Sequence, residues 1–544
     1  MFKKYILRGS KKYAYLVESY REDKKIKQRT VEYLGKVIWE NGEEKIIPPK
    51  KRLRSEVKVK HAQRYGDVAV LNNIADELGI KELLNKQIVK NGVDPADLTT
   101  ILAINRAVEP ISGNKLSSWY ADTALTSLIG LEEAKVTSEN IGKLFDAMYT
   151  PTEAGGVQDK VFQFEIALWK KLNTLYDFSA DAIVYDITST YVYGTKLPLA
   201  VKGHNRDNNH HVQYNIGLAV TKPQGIPLHF KVYQGNIVDV TTIKGILNDL
   251  KPFKIRHATF IIDRGFYSAD NLVELVTPSS DVIGAIPASL KLFSQLLRRS
   301  RTIEQPTHAQ MRKDELLYIM DHYDTINGVS LKFAVVLNPA LQERQRTTMM
   351  KDILEIQTQL DHVKQQWETG SFKGDINEKL NNIRKGYKKC FTVTIKKYML
   401  TIKRHDKAIQ RRLNHCGKFI LYSSRTTMDA LDILDAYFEK DVVEKSFFVI
   451  KQLHDLQPTR KHLENRVYGY VFIGYLAYLL YTILKTKLPK DVPLSPQSVL
   501  EELARVRQIT FTEDSDMESQ LTELTKMQKD IVIGLKMKAL FGLK

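Results

Sequence analysis

Four short apolar runs between residues 179 and 290 constrain the fold of this chain more than any other feature. Each has the pattern of a β-strand; they are DAIVYDITSTYVYG, VQYNIGLAV, IPLHFKVYQG and ATFIIDRG. A helical pattern, TTIKGILNDL, precedes the fourth run, and a helix from Ser268 to Leu275 leads to a fifth, DVIGAIPAS. The order β-β-β-α-β-α-β joins an antiparallel meander to crossover connections, which predicts an α/β fold on a mixed sheet.

The chain before this region divides into two parts of different character. Residues 1–64 carry 19 Lys and Arg against eight Asp and Glu, with tyrosines interleaved in alternating runs such as YAYLVESY. This predicts a small basic β module and linker that suits a DNA backbone, although a solvated charged surface would show the same pattern. Residues 65–178 turn helical, and Gly79 separates two apolar segments, as a helix-turn-helix or any helical hairpin requires. The second part is a candidate DNA-binding domain.

The chain after residue 290 predicts an insertion and then a return to the sheet. Residues 291–417 contain strand-like runs and a polar helical hairpin, which we interpret as an insertion into the sheet domain. Residues 418–490 begin with a strand-like run and continue in a long helix from about Met428 to His454. Residues 491–544 are predicted to form two amphipathic helices.

The composition favours a polyanionic partner and a reducing compartment. The chain of 544 residues has a formal net charge of +18, which favours nucleic acid through phosphate neutralisation, although charge alone fits a merely basic protein as well. Cys390 and Cys416 are the only cysteines, which excludes a disulfide framework and a Cys-rich zinc site. The N-terminus turns basic before an apolar segment could form a secretory signal, so we expect a cytoplasmic protein.

One apolar segment raises the alternative of a membrane span. From Val467 to Leu484 there is no charged residue, a length at the lower limit for a helix that crosses a bilayer. Five tyrosines lie within this segment, the last of them, Tyr481, near its end, whereas spanning helices tend to keep tyrosine at the interfaces. We therefore expect a buried core helix and no membrane association.

Two aspartates within or at the end of apolar strands are candidates for chemistry. Asp186 lies inside AIVYDITST, where a carboxylate is costly unless it is paired or binds a metal. Asp263 follows ATFII at the carboxyl end of a strand. Each has an ordinary alternative, since an edge-strand or Arg-paired Asp would explain the first and a turn Asp the second. The two become significant together if the first and fourth strands are neighbours.

A third candidate carboxylate, Glu444, lies on the long helix. Spacings of three and four residues place it on one stripe with Tyr437, Lys440, Phe447 and Lys451. A stripe that mixes a carboxylate with lysines and aromatic residues suits a helix laid against a metal site and a phosphate backbone. A solvated face with ordinary ion pairs is the alternative.

Three carboxylates form the kind of ligand set that magnesium prefers. Mg²⁺ binds hard oxygen ligands and keeps several waters, so three carboxylates can hold two ions and leave room for phosphate oxygens and an attacking hydroxyl. The segment GHNRDNNHH, residues 203–211, could suggest zinc, but no second Cys/His cluster completes a tetrahedral set. Phosphate or strand contacts are the better interpretation of His204, Arg206 and His211.

At these residues the chain resembles the DDE transposases of insertion sequences, in particular the ribonuclease-H-like group with an insertion between the second Asp and the Glu. VYDITST resembles the family's first-Asp strand, GHNRDNNHHVQYNIGLAV its second strand, GIPLHFKVYQGNIVD its third and IIDRGFYS its second-Asp motif. The signature Tyr-x2-Arg-x3-Glu-x6-Lys is matched by Tyr437, Lys440, Glu444 and Lys451, with Lys440 in place of the usual Arg. Lysine keeps the charge but loses the bidentate fork for phosphate.

The resemblance implies that the chain cleaves and joins DNA. Asp186, Asp263 and Glu444 would coordinate two Mg²⁺ ions, for which Mn²⁺ can substitute; water would cleave at the element ends, and the freed 3′-hydroxyl would attack target DNA. The expected DNA-contacting residues are Tyr437, Lys440, Lys451, His204, Arg206, His211 and Arg264. Residues 179–290 and 418–490 would be the two parts of a ribonuclease-H-like catalytic domain. A homo-oligomer on double-stranded DNA is implied, because two inverted-repeat ends must be brought together.

Two alternatives stay open on the sequence alone. A metal-dependent nuclease of the same fold would cut DNA without joining strands. A catalytically inactive descendant would bind DNA through the same surfaces, and its acidic residues would be structural.

Overall fold

The structure is a computed structural model of the chain. It describes residues 1–8, 11–22, 25–40, 43–47, 58–90, 92–152, 157–176, 178, 180–194, 196–203, 211–299, 306–397, 399–489, 494–513 and 516–543. The chain divides into two compact units. The first comprises Met1–Gln63 and Arg507–Thr522, and the second comprises Arg64–Val506 and Glu523–Lys544.

The first unit is built of β-strands. Those in the N-terminal part are β1 (Phe2–Arg8), β2 (Lys11–Glu22), β3 (Lys25–Glu40), β4 (Glu43–Ile47) and β5 (Lys58–Arg64). Strands β1 to β4 form an antiparallel sheet in chain order. Ala14 and Val17 of β2 are buried in this sheet. The rings of Tyr15 and Tyr33 pack at a centroid distance of 5.0 Å across the β2–β3 pair, so aromatic contacts support the pairing.

Residues 66–176 of the second unit are mainly helical. The elements are α1 (Gly66–Glu77), α2 (Ile80–Asn85), α3 (Pro95–Val108), α4 (Leu116–Ala121), α5 (Leu125–Ile129), α6 (Ser138–Met148), β6 (Tyr149–Pro151), β7 (Val157–Asp159) and α7 (Phe162–Tyr176). Gly79 links α1 to α2 at φ +67°, a left-handed conformation that favours glycine. Most of α1 is buried, so this helix belongs to the core. DNA contact by this helix pair stays a prediction.

A mixed sheet forms the centre of the second unit. Its first elements are β8 (Ala182–Tyr191), β9 (Gln213–Thr221), β10 (Pro227–Gln234), α8 (Ile243–Leu250), β11 (Ala258–Ile262), α9 (Ala269–Leu275), β12 (Ser280–Ala285) and α10 (Lys291–Arg299). Strand β9 pairs antiparallel with β8 and β10, whereas β11 pairs parallel with β8 and β12. The strand order is therefore β10-β9-β8-β11-β12. The predicted α/β fold with a mixed sheet is confirmed.

The inserted segment contributes to the same sheet. Its elements are β13 (His308–Arg312), β14 (Glu315–Ile326), β15 (Val329–Leu337), α11 (Pro339–Glu368), α12 (Ile376–Ile383), β16 (Phe391–Lys396), β17 (Met399–Arg404) and α13 (Asp406–Leu413), and it is followed by β18 (Lys418–Ser423). Strand β18 pairs with β12 on one side and β15 on the other, so nine of the described strands share one sheet. The part from Pro339 to Leu413, the helical subdomain, stands outside this sheet. This subdomain has an apolar core of its own, which includes Ile353, Leu360 and Phe391.

Strand β18 is the last strand of this sheet in the chain, and the next helices are α14 (Ala430–Phe438), α15 (Asp441–Phe448) and α16 (Glu464–Lys487). The single long helix expected from about Met428 to His454 is interrupted between α14 and α15. The amides of Val442 and Val443 donate to carbonyls three residues earlier instead of four, which tightens the chain into a turn around Lys440. Helix α15 ends in a π-helical turn, Val449–Leu453.

Helix α16 contains the apolar segment for which a membrane span was the alternative. Among the described helices it alone is long and apolar enough to cross a membrane, and 89% of its apolar window is buried inside the fold. Two of its tyrosines donate hydrogen bonds to backbone carbonyls, Tyr475 to Pro227 at 3.1 Å and Tyr478 to Gly225 at 2.9 Å. These buried hydroxyls thus have partners, as polar groups in a protein core require. The burial agrees with a core helix.

The C-terminal segment differs from its prediction. Its elements are α17 (Pro496–Leu503), β19 (Arg507–Glu513), β20 (Asp516–Leu521) and α18 (Lys526–Gly534). The two expected helices flank an antiparallel hairpin of β19 and β20 that the amphipathic pattern did not indicate. The run RQITFTE is rich in β-branched residues, which favour a strand, and β19 also pairs with β5 to complete a three-stranded sheet.

Candidate active site

Asp186 and Asp263 occupy corresponding positions in the sheet: Asp186 lies within β8, and Asp263 directly follows the neighbouring strand β11. Strands β8 and β11 are parallel, and Tyr185 is in register with Ile262. The next position on each chain is an aspartate, and positions in register on parallel strands direct their side chains to the same face of the sheet. The two aspartates become significant together if the first and fourth strands are neighbours. These strands, β8 and β11, are neighbours, so the condition is met.

Asp186 is a buried carboxylate. Its exposed fraction is 8%, and all its neighbours from Ile183 to Thr190 on β8 are buried as well. Its Oδ1 accepts a hydrogen bond of 2.8 Å from the backbone amide of Ile187. Burial penalises the charged form of a carboxyl group, so a carboxylate in this position is expected to have a functional or pairing role.

Asp263 is held by two residues of the α14–α15 turn. Its Oδ1 accepts hydrogen bonds from the hydroxyl of Tyr437 at 2.9 Å and from Nζ of Lys440 at 2.8 Å. Burial by itself raises the pKa of the Asp263 carboxyl. The Lys440 ammonium and the Tyr437 hydroxyl lower the pKa by more than burial raises it, so the pKa lies below its ordinary value. Burial and the Asp263 charge both raise the pKa of Tyr437, which keeps this residue a hydrogen-bond donor.

Glu444 approaches the same position from helix α15. Lys440 Nζ lies 3.9 Å from Glu444 Oε1, so one ammonium group lies within ion-pair distance of both Glu444 and Asp263. The Glu444 side chain is 61% exposed, whereas Lys440 is 19% exposed. Helix α15 also packs on strand β8, which carries Asp186. The turn between α14 and α15 is what directs Lys440 to the sheet.

The residues fit a divalent cation by the chemistry of their donors. Asp186, Asp263 and Glu444 all offer carboxylate oxygens, the ligand type that Mg²⁺ prefers. Among the residues that the structure describes, no group of three or more His, Cys, Asp and Glu side chains is close enough to hold a metal ion. The cation between Asp263 and Glu444 is the Lys440 ammonium, which marks a position of favourable potential for positive charge.

A cleft of about 700 Å³ opens beside Asp263 and Glu444. Several cations line it; they are Arg264, Arg312, Lys313, Lys418 and Lys440. Burial lowers the pKa of the Lys418 amine, and the nearby Arg346 lowers it further. A cleft with this lining suits a phosphate backbone, because cations can neutralise the phosphates while carboxylates face the reacting group.

Three of these cleft cations were not among the sequence candidates. Arg312 and Lys313 lie at the β13–β14 turn and Lys418 begins β18, so all three reach the cleft only because the inserted strands join the sheet. Arg312 also donates to Asp435 Oδ1 at 2.7 Å. No local motif marks these residues, since their placement depends on pairing between distant strands.

The other predicted site residues occupy different positions. Lys451 is buried, and its Nζ donates a 2.8 Å hydrogen bond to the backbone carbonyl of Ser189 on β8. His211 is exposed and stacks on Tyr191 at a centroid distance of 5.3 Å. Arg264 is exposed beside Asp263. The predicted His204 and Arg206 lie outside the described residues.

Comparison with known proteins identifies the relatives of this chain. Residues 3–64 match the model of the IS1634 family transposase N-terminal domain, and residues 177–480 match that of the transposase DDE domain. No curated protein matches the chain significantly. Among solved structures, a piggyBac transposase synaptic complex with hairpin DNA, studied by cryo-electron microscopy, is similar with a TM-score of 0.41 and 10% identity over 82% of each chain.

The DDE match spans more than half of the chain and contains Asp186, Asp263 and Glu444. Enzymes of this family cleave DNA and transfer strands, and they generally use divalent metal ions. The N-terminal match adds that the relatives are transposases of insertion sequences. This chain belongs to the DDE transposases of insertion sequences.

Proposed function

We propose that Asp186, Asp263 and Glu444 are the catalytic carboxylates of this transposase and that they hold two Mg²⁺ ions, or Mn²⁺ in their place. The observation that carries the proposal is the placement of the first two on adjacent parallel strands, with the Lys440 ammonium between Asp263 and Glu444. The strand order β10-β9-β8-β11-β12, with three antiparallel strands followed by parallel ones, supports a ribonuclease-H-like catalytic domain.

The reaction requires an attacking hydroxyl and a leaving oxygen in line with the phosphorus atom. When bound, the metal ions would lower the pKa of the nucleophile and neutralise charge on the phosphate. Lys440 and Arg264 contribute positive charge at the cleft, where they would orient the phosphate oxygens. Tyr437 holds Asp263 in one orientation through its hydrogen bond. The strand-transfer step would repeat this chemistry with the 3′-hydroxyl of the cleaved end.

The remaining partners follow from the same function. Double-stranded DNA, both the inverted-repeat ends and the target, is the substrate that we propose. We further propose that residues 1–64 contact the ends, that His204, Arg206 and His211 contact DNA near the site, and that copies of the chain assemble on DNA in the cytoplasm. The basic composition of residues 1–64 and the exposure of His211 support these assignments.

The test is strand cleavage on a duplex that carries the end of the element. Asp186→Asn and Glu444→Gln proteins are expected to bind this duplex with unchanged affinity and to produce no nick with Mg²⁺ or Mn²⁺. Asp432→Asn is the matched control, because it removes an exposed carboxylate from the neighbouring helix α14 and should leave cleavage intact. Cleavage by either active-site variant would contradict the assignment, and cleavage without strand transfer by the unchanged protein would favour a nuclease.

A further inference from the structure

Besides the N-terminal module and the catalytic cleft, a third part of the chain is rich in positive charge. Residues 373–413 contain 13 Lys and Arg but only three Asp and Glu. The preceding residues 339–372, mostly helix α11, contain four Lys and Arg against five Asp and Glu. The charge therefore lies in one half of the helical subdomain, that of α12, β16, β17 and α13. The chain has a net charge of +18, and folding does not require its positive charges to lie close together in this half of the subdomain.

The hairpin of β16 and β17 presents a basic outer face. Phe391 and Leu400 are buried in the subdomain core, and the alternating residues face outward. Lys403 stands opposite Thr392, and Lys396 opposite Met399, all on the exposed side. Because side chains alternate along a strand, Lys396 and Lys403 share this face, and Lys397 lies exposed at the hairpin turn.

These lysines are not used to hold the subdomain together. Within the described residues, Lys396, Lys397 and Lys403 make no ion pair, and they are all exposed. By contrast, Arg404 pairs with Asp406 at 2.8 Å, and the guanidinium of Arg412 stacks 4.2 Å above the ring of Tyr387. Unpaired like charges on a small hairpin repel each other, and a polyanion relieves that repulsion. The neighbouring Lys388, Lys389, Lys407 and Arg411 are exposed in the same way.

The subdomain is joined to the polypeptide at the catalytic cleft. Asn338, immediately before α11, and Lys418, the first residue of β18, both line the cleft together with Glu444. A duplex held in the cleft would thus pass the base of the subdomain. Among the paired residues of β16 and β17, the outer face consists of Thr, Lys and one Met, whereas protein interfaces are depleted in lysine and enriched in aromatic residues and arginine. The composition favours a phosphate backbone over a protein partner.

We propose that the β16–β17 hairpin is a second DNA-binding surface, in which Lys396, Lys397 and Lys403 contact the phosphate backbone of duplex DNA without reading its sequence. The contact lies outside the cleft and lengthens the DNA segment that the enzyme holds. This proposal rests on the transposase function. Its test measures binding in the absence of divalent metal, so its failure is distinguishable from a failure of the catalytic assignment.

The experiment is a salt titration of the binding of a duplex of arbitrary sequence to the full chain in EDTA. Each phosphate contact contributes about 0.9 to the slope of log affinity against log salt concentration. The K396Q/K397Q/K403Q protein is therefore expected to have a slope smaller by about 2 to 3. The control is K526Q/K529Q/K536Q, which removes the same charge from exposed positions in and after α18 and should leave the slope unchanged.

Either of two results would overturn the proposal: an unchanged slope in the hairpin variant, or an equal decrease in the control, which would reduce the effect to net charge. An unchanged slope would also be the outcome if the surface binds an acidic protein. Thermal unfolding of each variant verifies that it folds. If the triple variant does not fold, the single K403Q protein is expected to lose about 0.9 of slope, and an unchanged slope there overturns the proposal equally.

Discussion

Replacement of Lys440 by glutamine is expected to strengthen metal binding and to weaken catalysis. In the structure the Lys440 ammonium lies 2.8 Å from Asp263 and 3.9 Å from Glu444, two of the proposed metal ligands. A metal ion that approaches these oxygens competes with the ammonium. Removal of the ammonium eliminates this competition, although it also removes a positive charge that would orient the phosphate.

The size of the effect follows from the burial of the pair. Exposed ion pairs contribute about 0–1 kcal/mol, and breaking a fully buried pair costs about 3–5 kcal/mol. The side chains of Lys440 and Asp263 are 19% and 32% exposed, so the pair falls between these limits, at about 1–2 kcal/mol. Loss of the competing cation should then tighten Mn²⁺ binding to the DNA-free protein by about 5- to 30-fold.

Calorimetric titration with Mn²⁺ measures this change, and nicking of an end duplex at saturating Mn²⁺ measures the catalytic loss. Lys440→Arg is the matched control, because it keeps the charge and restores the residue usual in the family; its Mn²⁺ affinity should stay close to that of the unchanged protein. Equal or weaker Mn²⁺ binding by the glutamine variant would refute the view that Lys440 occupies a cation position.

Three further predictions concern residues packed in or against the central sheet. Gly235→Ala should destabilise the fold by about 3 kcal/mol, because the new Cβ would lie 1.9 Å from a backbone oxygen of β9. The control is Gly245→Ala in helix α8, where the nearest atom to the new Cβ is 3.8 Å away. This control should raise the unfolding temperature slightly, because alanine favours a helix more than glycine does. Lys451→Met should cost about 1–3 kcal/mol by leaving a buried carbonyl of β8 without its donor, with DNA affinity unchanged in filter binding if the role is structural. Burial lowers the pKa of His229, but Glu165 and Asp249 together raise it, to about 9. A raised pKa stabilises the fold below the ordinary histidine pKa of about 6.5, and that stabilisation is lost as pH rises through about 9. The decline in melting temperature over this range should therefore be shallower in Glu165→Gln, which removes one of the two carboxylates.

The local pattern of the chain was enough to predict the central sheet and two of its acidic residues. Asp186 and Asp263 could be singled out because each adjoins a run of β-branched residues, whereas the tertiary structure decided that their strands, β8 and β11, are neighbours. The same reasoning failed for the C-terminal hairpin of β19 and β20, because β19 pairs with β5 across more than four hundred residues of sequence. The spacing of Tyr437, Lys440 and Glu444 also predicted that they share one uninterrupted helix. In the structure a turn at Lys440 separates Tyr437 on α14 from Glu444 on α15.

The amino-acid sequence by itself determined the type of fold, the family, the positive charge and the identity of the candidate carboxylates, since each depends on residue types and spacings within a few tens of residues. Only the tertiary structure decided that the inserted strands extend the catalytic sheet, that Arg312 and Lys418 line the cleft, and that the ammonium of Lys440 reaches Asp263. The physical reason is that such contacts join residues more than 80 positions apart, whose proximity depends on which strands pair rather than on any local propensity.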